Sequence, residues 1–195
     1  MKKLFLSIIL FYFCFTVNAQ FGAAVGYESS KVNNTSTLPF DSSTSEPLGS
    51  FSIGLFYESE ISNKFDLLSS FDFSIGQYLP ELFVDDGLLR VGDDENNTSI
   101  AIGLDLQYYP MGKDGGLFIQ PGLGLGYRLG VIDSYLNNET SLTGFIGIGF
   151  DLSEKFTVIG SYGTSFSDSN NTSEITSKRS GFGVSLLYKF KFRNK

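Results

Sequence analysis

The sequence predicts an all-β fold, an eight-stranded antiparallel up-and-down transmembrane β-barrel. Three observations predict it. Eight segments alternate apolar residues with small or polar ones at period 2, which puts the two sets on opposite faces of a strand. The connections between segments alternate short and long, so all the long loops fall at one end of an up-and-down arrangement. Beyond residue 19 no apolar run reaches the about 20 residues that a membrane helix needs.

The N-terminal stretch stands apart. Met1-Lys2-Lys3 is basic, residues 4–17 are almost wholly apolar, and Asn18-Ala19-Gln20 follows. That pattern describes a secretory signal peptide, residues 1–19, cleaved after Ala19, with residues 20–195 as the barrel domain. Bulky Tyr12 and Phe13 precede Cys14 where a lipoprotein signal requires small residues. Removing the leader leaves about 176 residues, enough for one domain. It also removes the only cysteine, so neither a disulfide nor a thiolate metal site is expected. The formal charge moves from −7 to about −9, which argues against nucleic acid as a partner.

The eight segments are 20–28, 50–60, 64–76, 98–109, 116–130, 140–152, 155–166 and 179–192. Each approaches or exceeds the about 9–11 residues that cross a bilayer as a tilted strand. Phe51, Ile53, Leu55 and Tyr57 alternate with Ser52, Gly54 and Glu58; Phe65, Leu67, Phe71, Phe73 and Ile75 with Asp66, Ser70, Asp72 and Gly76. The fourth sets Ile100, Ile102, Leu104, Leu106 and Tyr108 against Gly103, Asp105 and Gln107. The fifth sets Leu117, Ile119, Leu123, Leu125 and Tyr127 against Gln120, Gly122, Gly124, Gly126 and Arg128. Leu142, Ile146, Ile148 and Phe150 oppose Gly147, Gly149 and Asp151; the first and seventh segments are weaker. The last has the strongest stripe, Phe182, Val184, Leu186, Tyr188, Phe190 and Phe192, against glycines, Ser185, Lys189 and Lys191.

Short connections follow the second, fourth and sixth segments; long polar ones, about 29–49, 77–97, 131–139 and 167–178, follow the others. Greek-key sandwiches have no reason to sort loops this way. Within 77–97, Asp-Gly between two short apolar runs signals a hairpin outside the barrel wall. Tyr27, Tyr57, Tyr108, Tyr127, Tyr162 and Tyr188 share the apolar parity, as interfacial girdles do. The opposite parity is assigned to the lumen, where Glu58, Asp66, Asp72, Asp105 and Asp151 face Arg128, Lys189 and Lys191 as candidate ion pairs. Pro121 lies mid-strand without an N–H to donate, so a bulge is expected around Gln120-Pro121-Gly122.

In pattern, loop order and aromatic final strand, residues 20–192 resemble the small outer-membrane β-barrel proteins of the OmpX and OmpA-barrel type. The resemblance implies an eight-stranded meander in a Gram-negative outer membrane, in contact with membrane lipid and lipopolysaccharide and inserted by the barrel-assembly machinery. It implies that Tyr188, Phe190 and Phe192 form the assembly-signal strand; here Arg193-Asn194-Lys195 follow, where that family ends on an aromatic. Enzymes among barrels of this size imply histidine-based catalysis, and this chain has no histidine. No enzymatic activity and no cofactor are therefore expected.

The acidic group Asp85, Asp86, Asp93, Asp94 and Glu95 matches no defined metal-loop spacing and reads as solvated surface charge. Asn-x-Ser/Thr triplets headed by Asn33, Asn34, Asn96, Asn97, Asn138, Asn170 and Asn171 mark the long loops as exposed. The expected role is structural or surface interaction through those loops with an unnamed extracellular partner. The alternatives are a small-solute porin and a soluble secreted ligand-binding β-domain.

Overall fold

The computed structural model describes residues 19–36, 43–44, 48–77, 82–85, 88–91, 96–129, 140–166, 171–172 and 175–190. The expected leader lies outside them, apart from Ala19. Eight long strands form the wall: β1 (Ala19–Ser36), β2 (Leu48–Ser62), β3 (Phe65–Gln77), β4 (Asn96–Tyr108), β5 (Leu117–Leu129), β6 (Thr140–Asp151), β7 (Phe156–Ser165) and β8 (Ile175–Phe190). Each pairs antiparallel with its sequence neighbours, and β8 pairs with β1 to close the cylinder. The result is an eight-stranded antiparallel β-barrel in up-and-down order. Short turns join β2 to β3, β4 to β5 and β6 to β7.

The alternation behaves as the sequence requires. Phe51, Ile53, Leu55, Ile102, Leu104, Leu123, Ile146, Ile148, Phe182, Val184 and Leu186 are all exposed on the outer wall. Such a contiguous apolar belt is intolerable in water and suits hydrocarbon. Aromatic pairs mark both rims of the belt. Phe65–Tyr108 and Phe156–Tyr188 lie at the short-turn end, each with centroids 5.0 Å apart. Tyr27–Phe51 and Tyr162–Phe182 lie at the long-loop end, at 4.9 and 4.8 Å. The amphipathic tyrosine ring suits both rims because its body is apolar and its hydroxyl reaches water.

β1 and β8 continue past the upper rim. Their ladder runs unbroken from Phe21↔Phe190 to Ser36↔Ile175. At about 3.4 Å per residue and roughly 40° tilt it rises about 40 Å, against an apolar belt of about 25 Å. The loops 29–49 and 167–178 are consequently shorter than expected. Past the rim the outer face turns polar, with Lys31 opposite Ser180 and Asn33 opposite Lys178, so hydrophobic alternation stops while backbone pairing continues. For the same reason Asn33, Asn34, Asn96, Asn97 and Asn171 lie in strands rather than in loops. The Asp-Gly signal corresponds to a small separate hairpin, Leu82–Asp85 with Leu88–Val91.

The bulge expected at Pro121 is absent. Pairing of β5 with β6 runs straight through Pro121↔Ile146. On the β4 side the ladder lapses at Leu106/Pro121 and Gln107/Gln120, then resumes at Tyr108↔Ile119 in unchanged register. Directly across that lapse, Gln107 Nε2 donates to Gln120 Oε1 at 3.2 Å inside the barrel. A side-chain amide bond thus bridges the opening, and no extra residue is needed. The register shift that does occur lies beside a turn, between Glu60 and Ser62 of β2.

Leu186 sits midway along the apolar stripe of β8 and faces outward. Leu186→Arg is expected to destabilise the inserted barrel by about 2–4 kcal/mol, as lipid-facing arginine does near the bilayer midplane. Reversible urea unfolding in lipid vesicles measures it, and an unchanged midpoint would contradict the assigned face.

Candidate functional site

The inward-facing positions divide into two zones. Near the short turns Phe56, Leu68, Phe118, Ile159 and Leu187 point inward and pack as one cluster with Tyr109 from the turn after β4. Each is at most 6 % exposed. They sit on the parity that elsewhere carries small and polar residues. The sequence does contain a signal for them: Leu55-Phe56-Tyr57, Leu67-Leu68, Leu117-Phe118-Ile119, Val158-Ile159 and Leu186-Leu187 are runs in which both faces are apolar. Glycine on the adjoining strand makes room. A side chain at Gly22 would overlap the Phe56 ring, and one at Gly149 the Phe118 ring.

A polar chain threads through this packed zone. Lys189 of β8 reaches Glu58 of β2 at 3.0 Å and Asp151 of β6 at 3.6 Å. The Tyr109 hydroxyl lies 3.3 Å from Asp151 Oδ2 and 3.4 Å from Gln107 Oε1, and Thr157 of β7 donates to Asp151 Oδ1. Gln107 donates to Gln120, whose Nε2 donates in turn to Asp105 Oδ2 at 2.9 Å. The chain ties β2, β4, β5, β6, β7 and β8 together across the barrel. Burial, and then the carboxylates of Asp151, Glu58 and Asp66, raise the pKa of Tyr109, so its hydroxyl remains a neutral donor.

Of the eight lumen residues singled out in the sequence, Glu58, Asp151 and Lys189 converge directly. Asp66 is answered by Lys113, which leaves the β4–β5 turn to reach Asp66 Oδ1 at 2.8 Å and Glu60 at 3.3 Å. That turn depends on glycine: Gly112 and Gly116 have φ of 78° and 67°, a left-handed region that side chains disfavour. Asp105 is met by Gln120 alone and Asp72 by Ser70 Oγ at 2.8 Å. The side chain of Arg128 and all of Lys191 and Phe192 lie outside the described residues. Sequence reading missed Lys113, Tyr109 and Thr157, which come from turns or from the weakest strands. It also missed Arg179, which faces Glu28 at 3.5 Å and donates to Ser30 Oγ at 2.8 Å near the long-loop end.

Above the packed zone the inward positions change character. Gly26, Ser52, Ser74, Ser99, Gly124, Gly126, Ser161, Gly183 and Ser185 are small and only partly buried. Among the described residues this outer half is lined mainly by hydroxyls and bare backbone, with the Phe145 ring laid over Gly122 where it meets the packed zone. Histidine does not occur in the chain, and among the described residues no group of three or more acidic, histidine or cysteine side chains could hold a metal.

The aliphatic and aromatic packing and the ion pairs differ in weight. Lys189→Met would strand Glu58 and Asp151 in a buried setting, at an expected cost of about 3–5 kcal/mol. Glu28→Gln, at the half-exposed Arg179 pair, is expected to cost no more than about 1 kcal/mol. Gly149→Val should cost about 1–3 kcal/mol by forcing Phe118 aside. Unfolding midpoints of the three variants in one lipid system check the ranking, and equal midpoints would refute it.

Neither a protein-family profile nor a curated protein sequence matches the chain. Solved structures do. Ail, the attachment invasion locus protein of Yersinia pestis, solved with the heparin analogue sucrose octasulfate, is 17% identical with a TM-score of 0.50, over 88% of this chain and 99% of that one. Neisserial surface protein A is 13% identical with a TM-score of 0.50, over 86% and 97%. The outer membrane enzyme PagL is 12% identical with a TM-score of 0.42, over 83% and 98%. At these identities the likeness concerns the fold.

Proposed function

We propose that this chain, whose fold is that of the small eight-stranded outer-membrane barrels, is an integral outer-membrane protein that acts as a surface-interaction scaffold rather than as a through-pore or an enzyme. One observation carries this reading. The lumen is filled at the short-turn end by Phe56, Leu68, Tyr109, Phe118, Ile159 and Leu187, while β1 and β8 carry their ladder well beyond the apolar belt. Packed apolar side chains oppose the passage of water and ions. Strands that outrun the membrane spend their length on presenting loops. The long loops at that end then meet the extracellular partner, the apolar belt meets lipid and lipopolysaccharide, and residues 1–19 serve as the export leader. In the same reading Tyr188 and Phe190, outward at the base of β8, belong to the strand the barrel-assembly machinery engages.

A porin reading draws on the small-residue outer half of the lumen. Planar-bilayer recording separates the two: the scaffold reading expects no stable conductance steps, and regular ion-conducting steps would replace it with a pore. Trypsin added to intact cells is expected to cleave in the long loops and leave a membrane-embedded, heat-modifiable core. Recovery of the protein free in the periplasm or medium would rule out the membrane location.

A further inference from the structure

We propose that an oblique groove on the lipid-facing wall of β3 to β7 seats one acyl chain of an outer-leaflet membrane lipid, a role that rests on the membrane location proposed above. The groove has a volume of about 560 Å³. It follows a single lateral row of outward side chains. Leu67 pairs with Leu106, Leu106 stands across the lapse from Pro121, and Pro121 and Tyr162 both pair with Ile146. Leu67 is two residues from the short-turn rim at Phe65, and Tyr162 belongs to the long-loop rim. Strand tilt therefore carries the row obliquely up the apolar belt. Four interstrand steps of about 4.8 Å give it about 19 Å of length, against about 15 Å of hydrocarbon in one leaflet.

Two short residues open the groove. The outward positions of β5 are otherwise leucine, isoleucine or tyrosine, and Pro121 alone is low. On β6 the outward series from Leu142 to Phe150 drops only at Gly144, one pair along from Pro121. The Phe166 ring lies over Gly144, where a side chain would collide with it, and so forms a wall at the long-loop end. Pro121 also forgoes a ladder bond. Tyr109 donates its N–H to Lys64 at the foot of β3, so Leu106, of the opposite parity, turns its backbone groups to β5, where Pro121 has no N–H to offer. A leucine at 121 would restore that bond and fill the groove; proline gives up the bond inside the belt and keeps the groove open.

The surroundings identify the occupant. Below Tyr162 and Thr164 the outward side chains along the groove are all apolar, which offers nothing to a headgroup or a peptide. A second barrel would present a convex wall that bridges the groove without entering it. A single flexible chain fits, and Tyr162 and Thr164 bring hydroxyls to the long-loop end, at the level where chain joins headgroup.

Photolabelling tests the site. The full chain is reconstituted in phosphatidylcholine vesicles containing a phosphatidylcholine with a diazirine midway along one acyl chain, and insertion is checked by heat-modifiable migration. Adducts are expected to be several-fold enriched at Leu123 and Ile146 over Ile53 and Val184, which are similarly exposed elsewhere on the wall. Thr164→Leu, which fills the groove without touching the ladder, is expected to abolish the enrichment. Pro121→Leu is expected to abolish it and to raise the urea unfolding midpoint, since it supplies the missing donor. Even labelling around the belt in an inserted chain, or enrichment that survives both variants, would overturn the groove site alone. Failure of the chain to insert would overturn the membrane location and the site with it.

Discussion

Closure of the hydrogen-bond ladder is the constraint on which everything else in this protein depends. Hydrocarbon offers backbone groups no partner, and each unsatisfied N–H or C=O there costs several kcal/mol. Pairing β8 with β1 removes both edges at once, and the pairing is the longest in the barrel. Once the cylinder is closed, strand alternation sends one set of side chains to lipid and the other inward, with no intermediate choice. The lapse beside Pro121 shows how firmly register is held. A strand that slipped by one residue would send Leu104, Leu106 and Leu123 inward and Asp105 to lipid, so the chain tolerates a local opening and bridges it with Gln107 and Gln120 instead.

Closure also creates the packing problem that the interior solves unevenly. Eight strands enclose only about enough space for their own side chains. Near the short turns that space is filled by aromatic and aliphatic residues, Phe56 and Phe118 each laid over a neighbouring glycine, and threaded by a polar chain anchored on Lys189. Nearer the long loops the same parity carries glycine and serine, and space remains. The same eight strands build both halves, yet one is a packed core and the other is lined by small residues. The barrel is thus packed at its base and lined by small residues at the opposite end, an arrangement that accords with the proposed surface role.

The neutral-donor contacts of Asp72 and Asp105 contrast with the charge-paired contacts of Glu58, Asp66 and Asp151 below them. These five carboxylates therefore occupy two electrostatic settings a few residues apart along the wall. The lower three brace strands against one another. The upper two are met by neutral donors only, Ser70 and Gln120.

What the sequence by itself determined was the wall: strand number, up-and-down order, the lipid-facing set and the parity of every inward carboxylate. All of these follow from period-2 alternation and loop length, which are local properties of a chain. It did not determine where the strands end beyond the membrane, because the outer face of Ser29, Lys31, Lys178 and Ser180 turns polar while pairing continues. Nor did it determine which charges meet. Lys189, Glu58 and Asp151 lie on strands far apart in the chain and are brought together only by the curvature of the closed barrel. Lys113 reaches Asp66 because its turn folds back over the mouth on two left-handed glycines. Which inward positions pack and which leave a hollow was likewise a tertiary decision, since it depends on what stands across the lumen.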